Sequence, residues 1–250
     1  VGSEMCIRDR HTTFKIIEVL FMFPCTPLVV ALTEKIIPGE DQKVHHNELQ
    51  YITEISLKSP ATMIPQAKNE LKRMADMAQE NLDRSIKGFL NQSDEYLNKI
   101  YHREEDINNV SHAITDYLVK SNQLSLPLAD QKILGSMFYV VNDIERIGDH
   151  AENFADCTKT ELKHNTGLTG DAKEEIKKMY EAVSKLLKLS LESFMAQDGV
   201  NTQEDKLAEI AALEASIDKM ERRYQKHHIK RLVKGDCEPR AGLLFLSLIH

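Results

Sequence analysis

Apolar residues return with the period of an α-helix along most of this chain. Met63, Ala67, Leu71, Met74, Ala78, Leu82 and Phe89 recur three, four or seven apart, which predicts one long helix from Ser59-Pro60 to about Asn91. Serine before proline suits an N-cap followed by the first helical position. A second helix is expected from about Asp94 to Lys120, and a third, after Ser125-Leu126-Pro127, to about Thr160. Asn165-Thr166-Gly167 and Gly170 mark a longer turn. Asp171 with Glu174, and Asn201 with Glu204, have the spacing of capping boxes. They open a fourth helix ending near Asp198 and a fifth ending at Gly235, and Pro239 opens a sixth.

Upstream the pattern is different. Val19–Leu32 is an uncharged run of 14 residues, short of the roughly 20 that span a bilayer. It carries Pro24 and Pro27, which membrane helices tolerate. Taken alone it could be a buried helix; with no basic leader of its own and no small-residue cleavage site, it reads as a truncated or final membrane helix rather than a signal peptide. Pro38-Gly39-Glu40-Asp41 breaks the run and opens a polar linker with His45 and His46. Val1–Arg10 and Ser247–His250 look like translated sequencing adapter, so the reading frame is expected to be cut at both ends.

The helices also repeat. Glu104-x-x-Ile107-Asn108-x-Val110 returns 110 residues later as Glu214-x-x-Ile217-Asp218-x-Met220, and the same offset carries Leu134 onto Leu244. That period fits duplicated three-helix bundles and not a short solenoid.

Composition agrees with an all-α chain. Glycine and proline together are 17 of 250 residues, about 7% where roughly 12% is usual. No tryptophan and 6% aromatics argue against a turn-rich sandwich or barrel. Thirty-nine acids against 32 bases leave a net charge of −7, with no whole-chain basic footprint for nucleic acid. Four cysteines without paired spacing exclude a disulfide scaffold and a zinc knuckle. At 42% hydrophobic and 28% charged, the chain can build a core.

The candidate chemistry lies on the third helix, in Asn142-Asp143-Ile144-Glu145-Arg146-Ile147-Gly148-Asp149-His150-Ala151. Its core stripe is expected to be Ile133, Met137, Val140, Ile144, Ile147, Ala151 and Phe154. A second stripe starts apolar at Leu134, Phe138 and Val141 and turns acidic at Glu145, Asp149, Glu152 and Asp156. Like charges four apart destabilise a helix by roughly 0.2–0.5 kcal/mol per pair. Four in a row along an edge that begins as core call for a cation, and an oxygen-rich cluster suits a hard or borderline metal. The second helix offers a facing carboxylate, Glu104, amid Leu97, Ile100, Ile107, Ser111, Ile114 and Leu118, with Asn108 and Thr115 beside it. A carboxylate on such a seam is costly unless paired or metal-bound. The candidate ligands are therefore Glu145, Asp149, Glu104, Asn108 and Glu152, against an equal alternative in which Glu104 pairs with Arg103, Arg146 or a lysine.

Other features weigh less. Arg222, Arg223, Lys226, His227, His228, Lys230, Arg231 and Lys234 read as a solvated basic face, with an anionic membrane or phosphate surface as the alternative. Glu161-x-x-His164 has the spacing of a di-iron ligand pair but sits at a helix end. Cys157 and Cys237 read as packing residues. There is no glycine-rich phosphate loop, Ser-x-x-Lys or Gly-x-Ser-x-Gly, and no catalytic residue is assigned.

The segment Asn142–Ala151 resembles the signature of PhoU-like domains, and the likeness runs over roughly Leu49–Leu246, including Glu70-Leu71-Lys72-Arg73-Met74-Ala75. His11–Asp41 resembles the end of the membrane domain of sodium/phosphate cotransporters, whose bacterial members carry a PhoU-like domain directly after it. The resemblance implies tandem three-helix bundles whose Glu/Asp-x-x-x-Asp motifs, here Glu145 and Asp149, bind multinuclear iron or zinc. It divides the chain into an adapter-like 1–10, the last membrane segment at 11–38, a linker at 39–58, a first bundle at 59–160, a truncated second bundle at 171–246 and an adapter-like 247–250. A second Glu-Arg-x-x-Asp-His would fall near position 252, past His250, so Glu214 and Asp218 are expected to lack partners. The resemblance implies a non-enzymatic, cytoplasmic regulatory domain at the inner membrane, acting on its own transport domain, which is absent here, and through it on sodium and phosphate. Phosphate-signalling proteins are expected as further partners, and nucleic acid is not expected. A PhoU-type accessory protein, a soluble metal-binding or ion-paired scaffold, and a carboxylate-bridged di-iron enzyme are the other classes.

Overall fold

The computed structural model describes residues 49–53, 60–164, 167–196 and 200–249, and six helices account for nearly all of these described residues. They are α1 (Pro60–Asn91), α2 (Leu97–Asn122), α3 (Leu128–His164), α4 (Gly170–Met195), α5 (Val200–Lys234) and α6 (Pro239–Ile249). The adapter-like start, the membrane-type run and the linker apart from 49–53 lie outside the described residues. Among the described residues no helix is long and apolar enough to cross a membrane.

The fold is all-α, as the apolar period predicts. Helices α1, α2 and α3 pack mutually around Met63, Leu71, Met74, Ile107, Ile114, Leu118, Leu134, Met137, Val141 and Ile144. A second cluster starts at the far end of that bundle with Leu82, Ile86, Phe89, Ile100, Ala151 and Phe154. It continues into Ile176 and Met179 of α4, Tyr224 of α5, and Ala241, Phe245 and Ile249 of α6. One apolar body thus joins α4, α5 and α6 to the ends of α1 and α3. Helix α6 runs on through Ser247 to Ile249, whose side chain is buried there.

Helix ends are set by local chemistry. At the end of α1, Gln92 takes a left-handed φ of 50°. Its N–H bonds to the Phe89 carbonyl at 3.2 Å, and the Ser93 N–H to Gly88 at 2.9 Å. This is the Schellman closure, with glutamine where glycine is usual. The same pattern closes α5 at Gly235, with φ 77° and the Asp236 N–H on the Arg231 carbonyl at 3.0 Å.

Three expectations are corrected. Helix α4 is not capped by Asp171: Thr169 is the N-cap, and its hydroxyl accepts from the Ala172 N–H at 3.3 Å. Asp171 lies exposed in the first turn, where a carboxylate favours the helix dipole. Helix α4 also stops at Met195, because Ala196 turns extended with ψ 141°. On α3 the buried line is Leu134, Met137, Val141, Ile144, Gly148, Ala151, Phe154, Ala155, Thr158 and Glu161, drawing on both expected stripes. Ile133 is therefore turned to solvent.

Candidate functional site

Helices α2 and α3 run antiparallel, and their register can be followed contact by contact. The Tyr101 hydroxyl donates to Asp156 Oδ1 at 2.7 Å. One turn along α2, Glu104 faces Glu152 and Asp149. Ile107 then lies against Gly148, where an added Cβ would stand 3.4 Å from Ile107 Cγ2. Finally Ser111 Oγ is 3.4 Å from Glu145 Oε2. A Cβ at Gly148 would make ordinary van der Waals contact with Ile107, and this packing sets the acidic edge of α3 beside the Glu104 face of α2.

The seam is electrostatically crowded. Glu104, half-buried, accepts a short hydrogen bond from Asn108 Nδ2 one turn away. Burial pushes its carboxyl above 4.5, and the charges of Glu152, Asp149 and Glu105 push the same way, against the Asn108 hydrogen bond. Burial, the hydrogen bond to Asp156 and the charges of Asp156 and Glu152 raise the Tyr101 phenol to about 12. Arg103 turns to Glu80 at 3.8 Å and Asp106 at 3.7 Å, so it is not the counter-ion of Glu104.

All five expected ligands therefore lie on one α2–α3 seam. Glu104, Asn108, Asp149 and Glu152 fall within about two turns, and Glu145 lies a turn beyond Asp149, beside Ser111. Among the described residues no group of three or more histidines, cysteines, aspartates and glutamates is drawn tightly enough to hold a metal ion as it stands. Carboxylate oxygens on the two sides of the seam fit a hard or borderline cation in donor type. The repeat does not reproduce the seam: Glu214 is exposed, and Asp218 pairs at the surface with Arg222 at 3.5 Å.

Two glutamates, Glu70 and Glu161, are buried with backbone partners that the pattern did not indicate. Glu70 accepts the backbone N–H groups of Gln50 at 3.0 Å and Tyr51 at 2.7 Å, and also pairs with Arg73, so it ties residues 50–51 to α1. Glu161 accepts the Leu168 N–H at 3.1 Å and so closes the α3–α4 turn, while His164 is exposed. Cys157 packs half-buried, its thiol raised to about 11 by burial and the charges of Asp156 and Glu161.

The basic run of α5 is only partly a solvated face. Arg231 and His227 hold Glu175 of α4 at 2.8 Å and 2.7 Å. His228 is fully buried, with the Phe245 ring centroid 5.1 Å away and neither ring nitrogen hydrogen-bonded. Burial, then the Arg231 charge, lower its pKa below 6.5, while Glu175 acts in the opposite sense. The folded state therefore prefers neutral His228. Its contribution to stability is complete above pH 6.5 and is lost as pH falls from there toward the lowered folded pKa. Urea unfolding between pH 5 and 7 is expected to show stability rising with pH, and His228→Leu should flatten that slope. An unchanged slope in the variant would assign it to other groups.

Compared with known families, residues 71–158 match the PhoU domain. The match covers α1 from Leu71, all of α2, and α3 to Thr158, and so contains the whole seam. No curated protein matches the chain.

Proposed function

We propose that this chain regulates phosphate homeostasis as a PhoU-type helical module whose α2–α3 seam holds a metal. The carrying observation is that the charges of Glu152 and Asp149 on α3 bear on half-buried Glu104 of α2, inside the segment that matches the PhoU domain. Like charges brought together in a half-buried seam are stabilised when a cation joins them. A bound iron or zinc ion would then lock α2 to α3, with Glu145 and Asp149 as the principal ligands and Glu104, Asn108 and Glu152 completing the set. No catalytic step is assigned to it.

In the finer reading, the module is the cytoplasmic regulatory domain of a sodium-dependent phosphate cotransporter in the inner membrane. The uncharged run Val19–Leu32 supports that context. Its partners would be its own transport domain, phosphate-signalling proteins and, through the full-length protein, sodium and phosphate. A PhoU-type accessory protein shares every feature of the seam. Fractionation separates the two: the transporter reading expects the chain in membranes and released only by detergent.

The site itself is tested by elemental analysis of wild-type, Glu145→Ala and Asp149→Ala proteins purified side by side. Each substitution is expected to cut bound iron or zinc by at least tenfold, the scale on which metal sites respond to lost support. Equal metal content in all three would sink the site.

A further inference from the structure

We infer that the outer face of α5 from Lys219 to Lys234 docks on an anionic lipid surface. At 100° per residue, Lys219, Arg222, Arg223, Lys226, Lys230 and Lys234 fall with Ile229 and Val233 inside an arc of roughly 140°. All eight side chains are exposed, Ile229 by 56% and Val233 by 84%. The opposite side of the helix is anchored: Tyr224 and His228 are buried, and Arg231 is held by Glu175. The helix is therefore fixed with this face outward.

Charge selects the occupant. The whole chain carries −7, yet these 16 residues hold seven lysines and arginines against one acid, Glu221. Arg222 has a surface partner in Asp218, and Arg223 lies over the Tyr224 ring, 5.4 Å from its centroid. A basic helix face attracts anionic lipid headgroups, and such helices bury apolar residues at the headgroup boundary. Ile229 and Val233, four apart between Lys226, Lys230 and Lys234, supply that apolar line. Nucleic acid would use the lysines but has no place for two exposed β-branched side chains, where base-stacking faces carry aromatics and arginine. The inference is independent of metal in the α2–α3 seam.

The test is sedimentation of the full chain with vesicles of phosphatidylglycerol and phosphatidylcholine, against phosphatidylcholine alone. The proposal expects binding to the anionic vesicles only, weakened by salt. Lys226→Gln/Lys230→Gln/Lys234→Gln should lower the partition coefficient about a hundredfold, at roughly fivefold per surface lysine. Ile229→Ser/Val233→Ser should weaken binding with the salt dependence intact. Both variants alter exposed residues, and unchanged thermal midpoints show that they fold. Binding that ignores the lysines and salt would come from another apolar segment, such as Val19–Leu32, and overturns the proposal. Failure to bind anionic vesicles overturns it too, as does lysine-dependent binding to duplex DNA or RNA without vesicle binding.

Discussion

Phe89→Ala is expected to destabilise the protein by about 3–5 kcal/mol, the cost of emptying a fully buried phenylalanine site. Phe89 has no exposed surface, and its ring meets Phe154 edge-to-face with centroids 5.6 Å apart. The pair sits in the apolar cluster that joins the end of the first bundle to α4, α5 and α6. Truncation therefore loses transfer free energy, the aromatic contact and the packing of the joint together. For a unit of about 200 residues this is a fall in thermal midpoint of roughly 6–20 °C. Phe89→Leu, which keeps most of the apolar volume, should cost less than half as much. The same order of loss from both variants would point to backbone disruption rather than a cavity, and a loss under about 1 kcal/mol would mean that the site collapses around the gap.

The apolar period and the breakers are local signals, and they carried the helices. Met63 to Phe89 are buried where their spacing puts them, and Pro127, Gly235 and Pro239 bound helices near where breakers should. Capping was harder to see, because two hydroxyl- or carboxyl-bearing residues compete within three positions at Thr169 and Asp171 and only backbone geometry decides between them. The seam was legible as two faces, since Glu104 interrupts an apolar stripe and Glu145 to Asp156 end one. Its register was not, because that depends on the packing of Ile107 against Gly148, a tertiary fact. The buried charges were least visible. Glu70 and Glu161 bond to backbone N–H groups of chain segments outside their own helices. Glu175 finds its partners, His227 and Arg231, more than 50 residues away on α5. Nothing in a single-helix pattern separates such a residue from a solvated glutamate, or a buried Arg231 from the exposed lysines beside it.

Glu175→Gln should cost about 3 kcal/mol, the lower end of what removing one partner of a buried ion pair costs. The Glu175 and Arg231 side chains are each only 12% exposed, and the guanidinium lies over the Phe245 ring, 5.0 Å from its centroid. Without the carboxylate, Arg231 keeps its desolvation and loses its charge partner, and His227 loses its acceptor. The loss falls on the docking of α5 against α4 and α6, so hydrogen exchange should rise in α5 and α6 and stay slow at the α1–α2–α3 core. Replacing both partners, as Glu175→Leu/Arg231→Met, should recover most of the stability, because no buried charge is then left unpaired. If the double variant is as unstable as the two single losses added together, the residues act separately and the pair is not what fastens α5. If Glu175→Gln is neutral, water reaches the guanidinium freely and the anchor of the basic face lies in Tyr224 and His228 instead.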